Sequence, residues 1–314
     1  MRIFFHDGDR RLRAATGYGQ LAAGLAQELP RLGHELVFAP AADVSVCLHI
    51  CPPSSMNTAA IRQPQAAFTM HETESLPESK QHWIQILNDV ELVLTPTDWN
   101  RGIWESLGVK TPIEIVPLGV DADVYKLPKT GHFSVLCAHE NLGSESSREN
   151  WRDTIRAYYG AFAGREDVEL VIKTWRWKPA GFEQAKAAVC AELDLDVAVA
   201  PPVTVIDDDL TSEQMRDLYQ RTWLFLKNAN REGWGLPATE ALASGAEIAA
   251  SRIQPLVSHL PEDVAWFPVG DHAALKSILI EHDRRATERR ATASRFTWER
   301  TAATTSVALL KHFT

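Results

Sequence analysis

The sequence lacks a long hydrophobic run, and cysteine is scarce. No stretch approaches the roughly 18 apolar residues that a membrane-spanning helix needs, and charged residues follow Met1 too soon for a secretory signal. Four cysteines in 314 residues, with 17 glycines and 17 prolines, exclude a disulfide framework and a collagen-like repeat. These absences predict a globular chain without a transmembrane segment, and the expected location is cytoplasmic.

The chain also has fewer positive than negative side chains, with 32 Lys and Arg against 41 Asp and Glu. The net charge is −9, of which −6 falls in residues 1–125. Because an acidic surface repels phosphate polyanions, nucleic acid and anionic membranes are disfavoured as partners, although nucleic acid stays open. Arg10, Arg11 and Arg13 form one basic run. This run could meet an anionic acceptor, or it could simply be a solvated loop.

Short apolar runs alternate with helical periods twice along the chain, which is typical of open α/β sheets. Residues 2–5 predict a first strand, and the leucine spacing predicts a helix over residues 20–32. The same order restarts with a strand at residues 133–138 and a helix over residues 151–162. The pattern therefore predicts two α/β domains.

The chain length agrees with that division, since domains usually have roughly 100 to 200 residues. We predict two doubly wound, parallel-sheet (Rossmann-like) domains that face a central cleft. The first covers residues 1–125 and the second covers residues 126–297.

The most informative segment is residues 230–245, NREGWGLPATEALASG. Gly233 and Gly235 allow a tight loop and a close approach of the backbone to a ligand. Pro237 stands where a helix would begin, and a helix N-terminus that follows a strand can hold phosphate.

Two carboxylates, Glu232 and Glu240, bracket this loop. Both could accept hydrogen bonds from the vicinal hydroxyls of a sugar or a ribose. The alternative is that Glu240 only complements the helix dipole and that Glu232 is solvated.

The segment resembles the Glu-x7-Glu signature of glycosyltransferase family 4, whose members are retaining enzymes of the GT-B fold. The likeness spans about residues 1–275. Further segments agree in the same order: Gly17-Tyr18-Gly19, RLGHEL at 31–36, MHETESLP at 70–77 and IVPLGVD at 115–121.

The resemblance implies transfer of a hexosyl or related sugar from a nucleotide-diphosphate donor to a hydroxyl acceptor. The implied mechanism is front-face and needs no metal or other cofactor. Glu232 would lie beside the donor sugar, as a catalytic residue, and Glu240 would contact the ribose. The helix at 298–314 would pack back on the first domain. The loop backbone would surround the donor hydroxyls and phosphate: Gly233, Trp234, Gly235, Leu236 and Pro237.

The resemblance also implies ligand contacts from the first domain. Gly17, Tyr18 and Gly19 would touch the donor diphosphate, and His71 would bind a donor hydroxyl and help to position the sugar. A tight turn and a satisfied loop histidine are the alternatives. Gly17 and Gly19 also fit a relaxed dinucleotide fingerprint, but about ten residues separate Gly17 from the strand that ends near Phe5, whereas that fingerprint begins directly after its strand.

Stabilising the departing phosphate requires fixed positive charge or N–H dipoles. Family members usually place an Arg and a Lys on the loop after the first strand of the second domain. Arg148 fits this pattern, but Glu149 stands where a lysine is common. Lys173 or Lys227 could take over, or each could be a solvated lysine at a strand end.

Two short clusters invite a metal interpretation. Cys47, His49 and Cys51 could ligate zinc, but the alternation there is that of a strand, and no second ligand pair lies nearby in sequence. Asp207-Asp208-Asp209 precedes a capping box, which favours a charged turn. We expect no metal.

Other functions stay open at this point. A non-catalytic binder of nucleotide sugars would keep the same site, and a transferase of this fold could act on modified bases of phage DNA. An NAD-dependent oxidoreductase needs an acidic residue at the end of the second strand, where Phe38-Ala39-Pro40 supplies none. The donor base and sugar, the acceptor and the oligomeric state are not specified by the sequence.

Overall fold

The computed structural model describes residues 1–7, 16–120, 133–139, 148–174, 179–282 and 297–313. The chain forms two compact units. Unit 1 comprises Met1–Asp121 together with Arg295–Thr314, and unit 2 comprises Ala122–Ser294. Each unit contains one six-stranded sheet.

The sheet of unit 1 is entirely parallel, with the strand order β2-β1-β3-β4-β5-β6. Its central strands are buried along their whole length, because helices and loops cover both faces of a parallel sheet. Its strands are β1 (Arg2–His6), β2 (Glu35–Val37), β3 (Val46–Ile50), β4 (Gln65–Phe68), β5 (Leu92–Thr95) and β6 (Ile113–Ile115), and the helices in this stretch are α1 (Gly17–Arg31), α2 (His82–Asn88) and α3 (Asp98–Ser106).

The sheet of unit 2 is also parallel, with the order β12-β11-β10-β7-β8-β9. Its main core lies around Tyr158 and Phe162 of the first helix. Its strands are β7 (Phe133–His139), β8 (Val168–Thr174), β9 (Val203–Ile206), β10 (Leu224–Lys227), β11 (Glu247–Ser251) and β12 (Ala265–Phe267), and its helices are α4 (Trp151–Phe162), α5 (Pro179–Glu192), α6 (Ser212–Arg221), α7 (Leu236–Ala243), α8 (Gln254–Val257) and α9 (His272–Glu281).

The two parallel sheets confirm the predicted fold class. The helix predicted over residues 151–162 is confirmed as α4. The capping box of Thr211 and Gln214 is confirmed at the start of α6. The residues 207–209 therefore precede a capped helix, as the sequence indicated.

The predicted start of the first helix was wrong by three residues. Helix α1 begins at Gly17, because the side chain of Thr16 accepts a hydrogen bond from the Gly19 N–H at 3.0 Å and caps the helix there. Gly17, Tyr18 and Gly19 therefore form the first turn of α1, and they are not a loop that precedes it.

The last helix, α10 (Trp298–Phe313), belongs to unit 1 and packs against α1. Thr301 Oγ1 donates to the carbonyl oxygen of Pro117 at 2.8 Å. Ser306 Oγ lies 2.6 Å from His34 Nε2. The indole of Trp298 lies against Gly24 of α1. Residues near both ends of the sequence thus share one core.

Each sheet has a topological switch point, where successive strands begin to be added on the opposite side. In unit 1 it lies between β1 and β3, and in unit 2 it lies between β7 and β10. Open α/β sheets bind ligands outside the carboxyl ends of the strands at such points. The carboxyl ends of the strands at these two points are therefore the expected ligand positions.

Within the described residues, no helix combines the length and the apolar character that crossing a bilayer requires.

We expect Gly24→Ala to lower the free energy of unfolding by about 1–3 kcal/mol in a urea titration, because the added Cβ would overlap the Trp298 ring. Gly102→Ala in α3 is the matched control, since a Cβ there meets nothing within 4 Å. The control should gain up to about 1 kcal/mol from its better helix propensity. Equal stability of the two variants would contradict this packing of α10 on α1.

Candidate functional site

The loop after β7 is tied to the loop after β10 at the switch point of unit 2. Glu149 and Ala229 form an isolated antiparallel bridge. The Asn150 N–H donates to the Asn228 carbonyl oxygen at 2.9 Å. These backbone contacts bring two segments that are about 80 residues apart in sequence to the same sheet edge.

Side-chain amides reinforce this junction. Asn150 Nδ2 donates to Asn230 Oδ1 at 2.9 Å and to Asn228 Oδ1 at 3.3 Å. Asn228 Nδ2 donates to Thr154 Oγ1 at 3.2 Å. Ser251 Oγ donates to Asn228 Oδ1 at 3.3 Å. The junction is therefore a hydrogen-bonded platform, and the charged residues lie beside it.

Four charged side chains meet on this platform: Arg148, Glu149, Lys227 and Glu232, which we call the charge cluster. Lys227 Nζ lies 2.6 Å from Glu232 Oε2 and 3.6 Å from Glu149 Oε1. Arg148 Nε lies 3.0 Å from Glu149 Oε1, and its Nη1 lies 3.8 Å from Glu232 Oε1. Two cations and two carboxylates of the described residues thus form a ring of contacts that is formally neutral.

Burial and ion pairing have opposite effects on the pKa values of the central pair, Lys227 and Glu232. Burial opposes ionisation of Glu232, but the charges of Lys227 and Arg148 and the hydrogen bonds from Lys227 and from the Gly233 N–H outweigh it, and they lower the pKa of Glu232 to about 2. Burial also disfavours the Lys227 ammonium, but Glu232 and Glu149 outweigh it and raise the pKa of Lys227. Both members of the central pair are therefore charged at neutral pH.

The members of the cluster differ in their exposure. The Lys227 side chain is 3 % exposed, whereas the Arg148 side chain is 19 % exposed. Lys227 is thus an internal counter-ion, and Arg148 is the cation of the cluster that a ligand reaches more readily. The interpretation of Lys227 as a solvated lysine at a strand end is wrong.

Lys173 lies elsewhere on the sheet. It is on β8, which is separated from β10 by β7, and its Nζ donates to the Thr174 carbonyl oxygen at 2.6 Å. Burial lowers the pKa of Lys173, and the nearby carboxylates of Asp209, Asp207 and Asp208 partly oppose this. Of the two candidate lysines, Lys227 is the one that belongs to the charge cluster with Arg148.

Residues 230–235, which we call the signature loop, lead directly into α7. Gly235 caps this helix with a φ of 89°, a left-handed conformation, and a Cβ there would lie 2.8 Å from Leu256 Cδ2. The left-handed φ and the close contact with Leu256 therefore both favour glycine at this position. The helix that Pro237 and Gly245 predicted is confirmed at Leu236–Ala243.

The first turn of α7 has fewer N–H groups available to a ligand than the sequence indicated. The Ala238 and Thr239 N–H groups donate to the Gly235 carbonyl oxygen, at 2.9 and 3.4 Å, and Pro237 has no N–H. In the part of the chain that the structure describes, the N–H groups of Gly235 and Leu236 have no hydrogen-bond acceptor. These two groups can serve an anion.

Trp234 fixes the loop from within. Its indole is buried and stacks on His259, with ring centroids 3.8 Å apart and an angle of 11° between the planes. His259 Nδ1 is held by the Pro255 carbonyl oxygen at 2.6 Å. The Trp234 side chain thus anchors the signature loop to the segment around α8.

Glu240 is buried in α7, and Tyr219 Oη of α6 donates to its Oε2 at 2.6 Å. This bond fixes the orientation of the carboxylate. Tyr219 was not predicted as a site residue, because the apolar periodicity of α6 marks it as a core residue and does not show that its hydroxyl reaches the next helix.

In unit 1, His71 follows β4 and is held by its own loop. Its N–H donates to Asn100 Oδ1 at 2.8 Å. Its Nε2 lies 3.1 Å from the Ser75 carbonyl oxygen and 2.8 Å from Thr73 Oγ1, and Thr73 itself donates to the Ser75 oxygen. The Nε2 is therefore the donor nitrogen of His71, and in the neutral ring Nδ1 carries the lone pair.

Tyr18 ties α1 to the same strand end. Its hydroxyl accepts a hydrogen bond from the Met70 N–H at 3.1 Å and lies 3.0 Å from Thr69 Oγ1. Burial raises the pKa of Tyr18 to about 12. Gly17 is exposed, whereas the Gly19 N–H is used by the helix cap. This turn thus has a structural role, which agrees with the alternative of a tight turn.

The suggested zinc residues do not form a ligand set. His49 Nε2 lies 2.9 Å from Gln65 Oε1 and 3.5 Å from Cys47 Sγ. Across the described ranges, no group of three or more His, Cys, Asp and Glu side chains is placed to hold a metal ion. The suggested acceptor residues Arg10, Arg11 and Arg13 lie outside the described residues.

Comparison with solved structures finds proteins of the same fold. The HepE protein of Anabaena, solved in complex with UDP and glucose, superposes with a TM-score of 0.76 at 13 % identity and covers 99 % of this chain and 100 % of its own. Sucrose-phosphate synthase from Thermosynechococcus elongatus has a TM-score of 0.72 at 14 % identity, with coverage of 99 % and 98 %. The α,α-trehalose 6-phosphate synthase of Burkholderia multivorans has a TM-score of 0.67 at 13 % identity and covers 96 % of this chain and 77 % of its own.

No protein-family model and no curated protein matches the chain. The structural likeness nevertheless confirms that the chain has the GT-B fold that the signature implied.

We expect Lys227→Met to lower the free energy of unfolding by about 3–5 kcal/mol, because two buried carboxylates lose their shared counter-ion. Lys173→Met is the matched control, since folding already disfavours the charge of that buried lysine. The free energy of unfolding of Lys173→Met should fall by no more than about 1–2 kcal/mol. Urea unfolding at neutral pH measures both values, and equal losses would contradict the assigned role of Lys227.

Proposed function

We propose that the protein is a retaining glycosyltransferase that moves a sugar from a nucleoside-diphosphate donor to a hydroxyl acceptor. The observation that carries this proposal is the charge cluster beside the N-terminus of α7, at the switch point of unit 2. The GT-B fold supports it, and so do the neighbouring structures solved with UDP and UDP-glucose.

The donor would be held through its charged and hydroxyl groups. Arg148 and the N–H groups of Gly235 and Leu236 would face the diphosphate, since fixed cations and N–H dipoles stabilise developing phosphate charge. Glu240, oriented by Tyr219, would accept hydrogen bonds from the ribose hydroxyls.

Glu232 would act on the donor sugar as a carboxylate. With a pKa of about 2 it holds no proton at neutral pH, so it can accept hydrogen bonds from sugar hydroxyls and stabilise positive charge at the anomeric carbon, but it cannot serve as the general acid. Lys227 is then a positioning residue that keeps Glu232 charged and fixed in place.

The proposed reaction follows from these assignments. The bond between the anomeric carbon and the phosphate oxygen breaks, and its electron pair stays on the departing diphosphate. The acceptor oxygen bonds to the same carbon from the same face, and its proton passes to the phosphate oxygen. The proposal includes no metal, because Arg148 and the N–H groups supply the stabilising charge. Activity should therefore persist in EDTA.

The assignments in unit 1 are part of the same proposal. His71, which follows β4, would bind a donor hydroxyl and help to position the sugar. The acceptor would bind to unit 1, where the sequence up to residue 125 carries −6 of the net charge. This excess favours a neutral acceptor. The four free, buried cysteines suit the proposed cytoplasmic location.

One observation favours a second candidate, a nucleotide-sugar binder without turnover. Glu149 occupies the position where the resemblance implies a lysine, and it makes the cluster formally neutral. A neutral cluster stabilises a leaving diphosphate less than a cationic one would.

Donor binding and turnover distinguish the two candidates. Thermal shifts with UDP-, GDP- and ADP-sugars identify the nucleotide, because a ligand of the folded state raises the melting temperature. Release of the nucleoside diphosphate from the stabilising sugar then reports turnover. Binding with release supports the transferase, binding without release supports the binder, and a lack of binding to all three would contradict both.

We expect Glu232→Gln to lower kcat/KM for the donor by at least about 100-fold, because the amide cannot replace the negative charge beside the anomeric carbon. Glu183→Gln on the exposed part of α5 is the control and should match the wild type. Circular dichroism would verify that both variants are folded. Undiminished turnover of folded Glu232→Gln would exclude the proposed role.

A further inference from the structure

An exposed aromatic ring follows β2 at the carboxyl end of the unit 1 sheet. Phe38 is 61 % exposed, and it comes directly after Val37, the last residue of β2. Of the Phe, Tyr and Trp side chains that the structure describes, Phe38 is the one that is exposed, whereas the others are buried or half-buried. A large apolar surface therefore faces water at the end of the sheet where open α/β proteins bind ligands.

A buried ring holds Phe38 in place. Strand β2 pairs in parallel with β1, and Val37 lies opposite Phe4. Phe5 and Phe38 come next in this register and share one face of the sheet. Their ring centroids are 5.8 Å apart, with an angle of 63° between the planes, and Phe5 is buried. This edge-to-face contact is favourable, and it leaves Phe38 supported on one side and open to solvent on another.

Phe38 lies beside the switch point of unit 1. That point is between β1 and β3, and β2 is the neighbour of β1 on its other side. Because adjacent strands are about 4.8 Å apart, the end of β2 lies one strand spacing from the expected ligand position. Ala39 and Pro40, which follow Phe38, are exposed as well. A ligand at the switch point thus has an apolar surface within reach on its β2 side.

The chemistry of this surface limits the ligands that it can bind. A phenyl ring carries no charge and has no hydrogen-bonding group, so it binds through hydrophobic burial and dispersion. A sugar ring presents such a ring with a continuous face of C–H groups. An open-chain polyol has the same hydroxyls but no continuous apolar face.

We propose that Phe38 binds the acceptor substrate by stacking on the apolar face of a sugar ring, so that the acceptor is a neutral pyranose and not an open-chain polyol. This inference rests on the proposed function, which assigns the nucleotide to unit 2 and the acceptor to unit 1. Stacking recognises the face of the ring, and it therefore does not by itself distinguish one pyranose from another.

The contact can be observed at the ring itself. Labelling the 11 phenylalanines as 4-fluorophenylalanine gives a 19F spectrum, in which Phe38→Leu identifies the resonance of Phe38. The protein, saturated with UDP, GDP or ADP, whichever it binds, is titrated with the methyl glycosides of glucose, galactose, mannose and N-acetylglucosamine, whose rings cannot open. Sorbitol is the open-chain control.

We expect at least one of these glycosides to shift the Phe38 resonance, and we expect sorbitol to leave it unchanged. A lack of response to all four glycosides would overturn the proposal. An equal response to sorbitol would also overturn it, since the ring face would then play no part in binding.

Variants at the same position separate stacking from general apolar contact. Phe38→Ala should weaken binding of the responding glycoside about tenfold, which corresponds to roughly 1.4 kcal/mol. Phe38→Trp should bind at least as tightly as the wild type, because it keeps a flat ring. Phe38→Leu keeps an apolar side chain without the ring and should lose most of the affinity. Val307→Ala on α10 is the control, since Val307 is 65 % exposed, and it should match the wild type.

A merely structural role of Phe38 would give a different result. Because Phe38 is exposed, Phe38→Ala should keep the melting temperature of the ligand-free protein within about 2 °C of the wild type, and its affinity for the nucleotide should not change. Equal glycoside affinity of the wild type and Phe38→Ala, with nucleotide binding intact, would overturn the role of Phe38. A lack of binding to UDP, GDP and ADP alike would instead count against the proposed function.

Discussion

The buried ion pair between Lys227 and Glu232 is the interaction on which the candidate site depends. It joins the end of β10 to the signature loop, and through Glu149 it extends to the loop after β7. Breaking such a pair leaves an uncompensated charge in the interior, whereas keeping it costs both ions their hydration. The charge on Glu232 therefore depends on keeping this pair intact.

The two switch points hold different kinds of polar groups. That of unit 2 combines full charges with a helix N-terminus, whereas at that of unit 1 His6 contacts His49, and His49 contacts Gln65. The proposed function assigns the charged diphosphate to unit 2 and a neutral acceptor to unit 1. Glu149 makes the charge cluster formally neutral, which keeps a binder without turnover as a second candidate.

Local signals allowed much of the fold and part of the site to be predicted. Apolar periodicity specified α4, and Gly235 with Pro237 marked the start of α7, because helix periods and caps depend on neighbouring residues. The start of α1 was misplaced, since glycines discourage a helix assignment and the Thr16 cap was overlooked. The partners Lys227–Glu149, Tyr219–Glu240 and His6–His49 are distant in sequence, so only the folded arrangement of strands, helices and loops brings them together.

The most direct measurement of the central claim is a crystal structure of the protein with UDP. The account predicts the diphosphate within hydrogen-bonding distance of Arg148 and of the N–H groups at the start of α7, the ribose hydroxyls on Glu240, and the pair of Lys227 and Glu232 intact beneath them. A diphosphate bound away from the β7–β10 switch point, or a complex in which Lys227 leaves Glu232 to contact the phosphate, would contradict it.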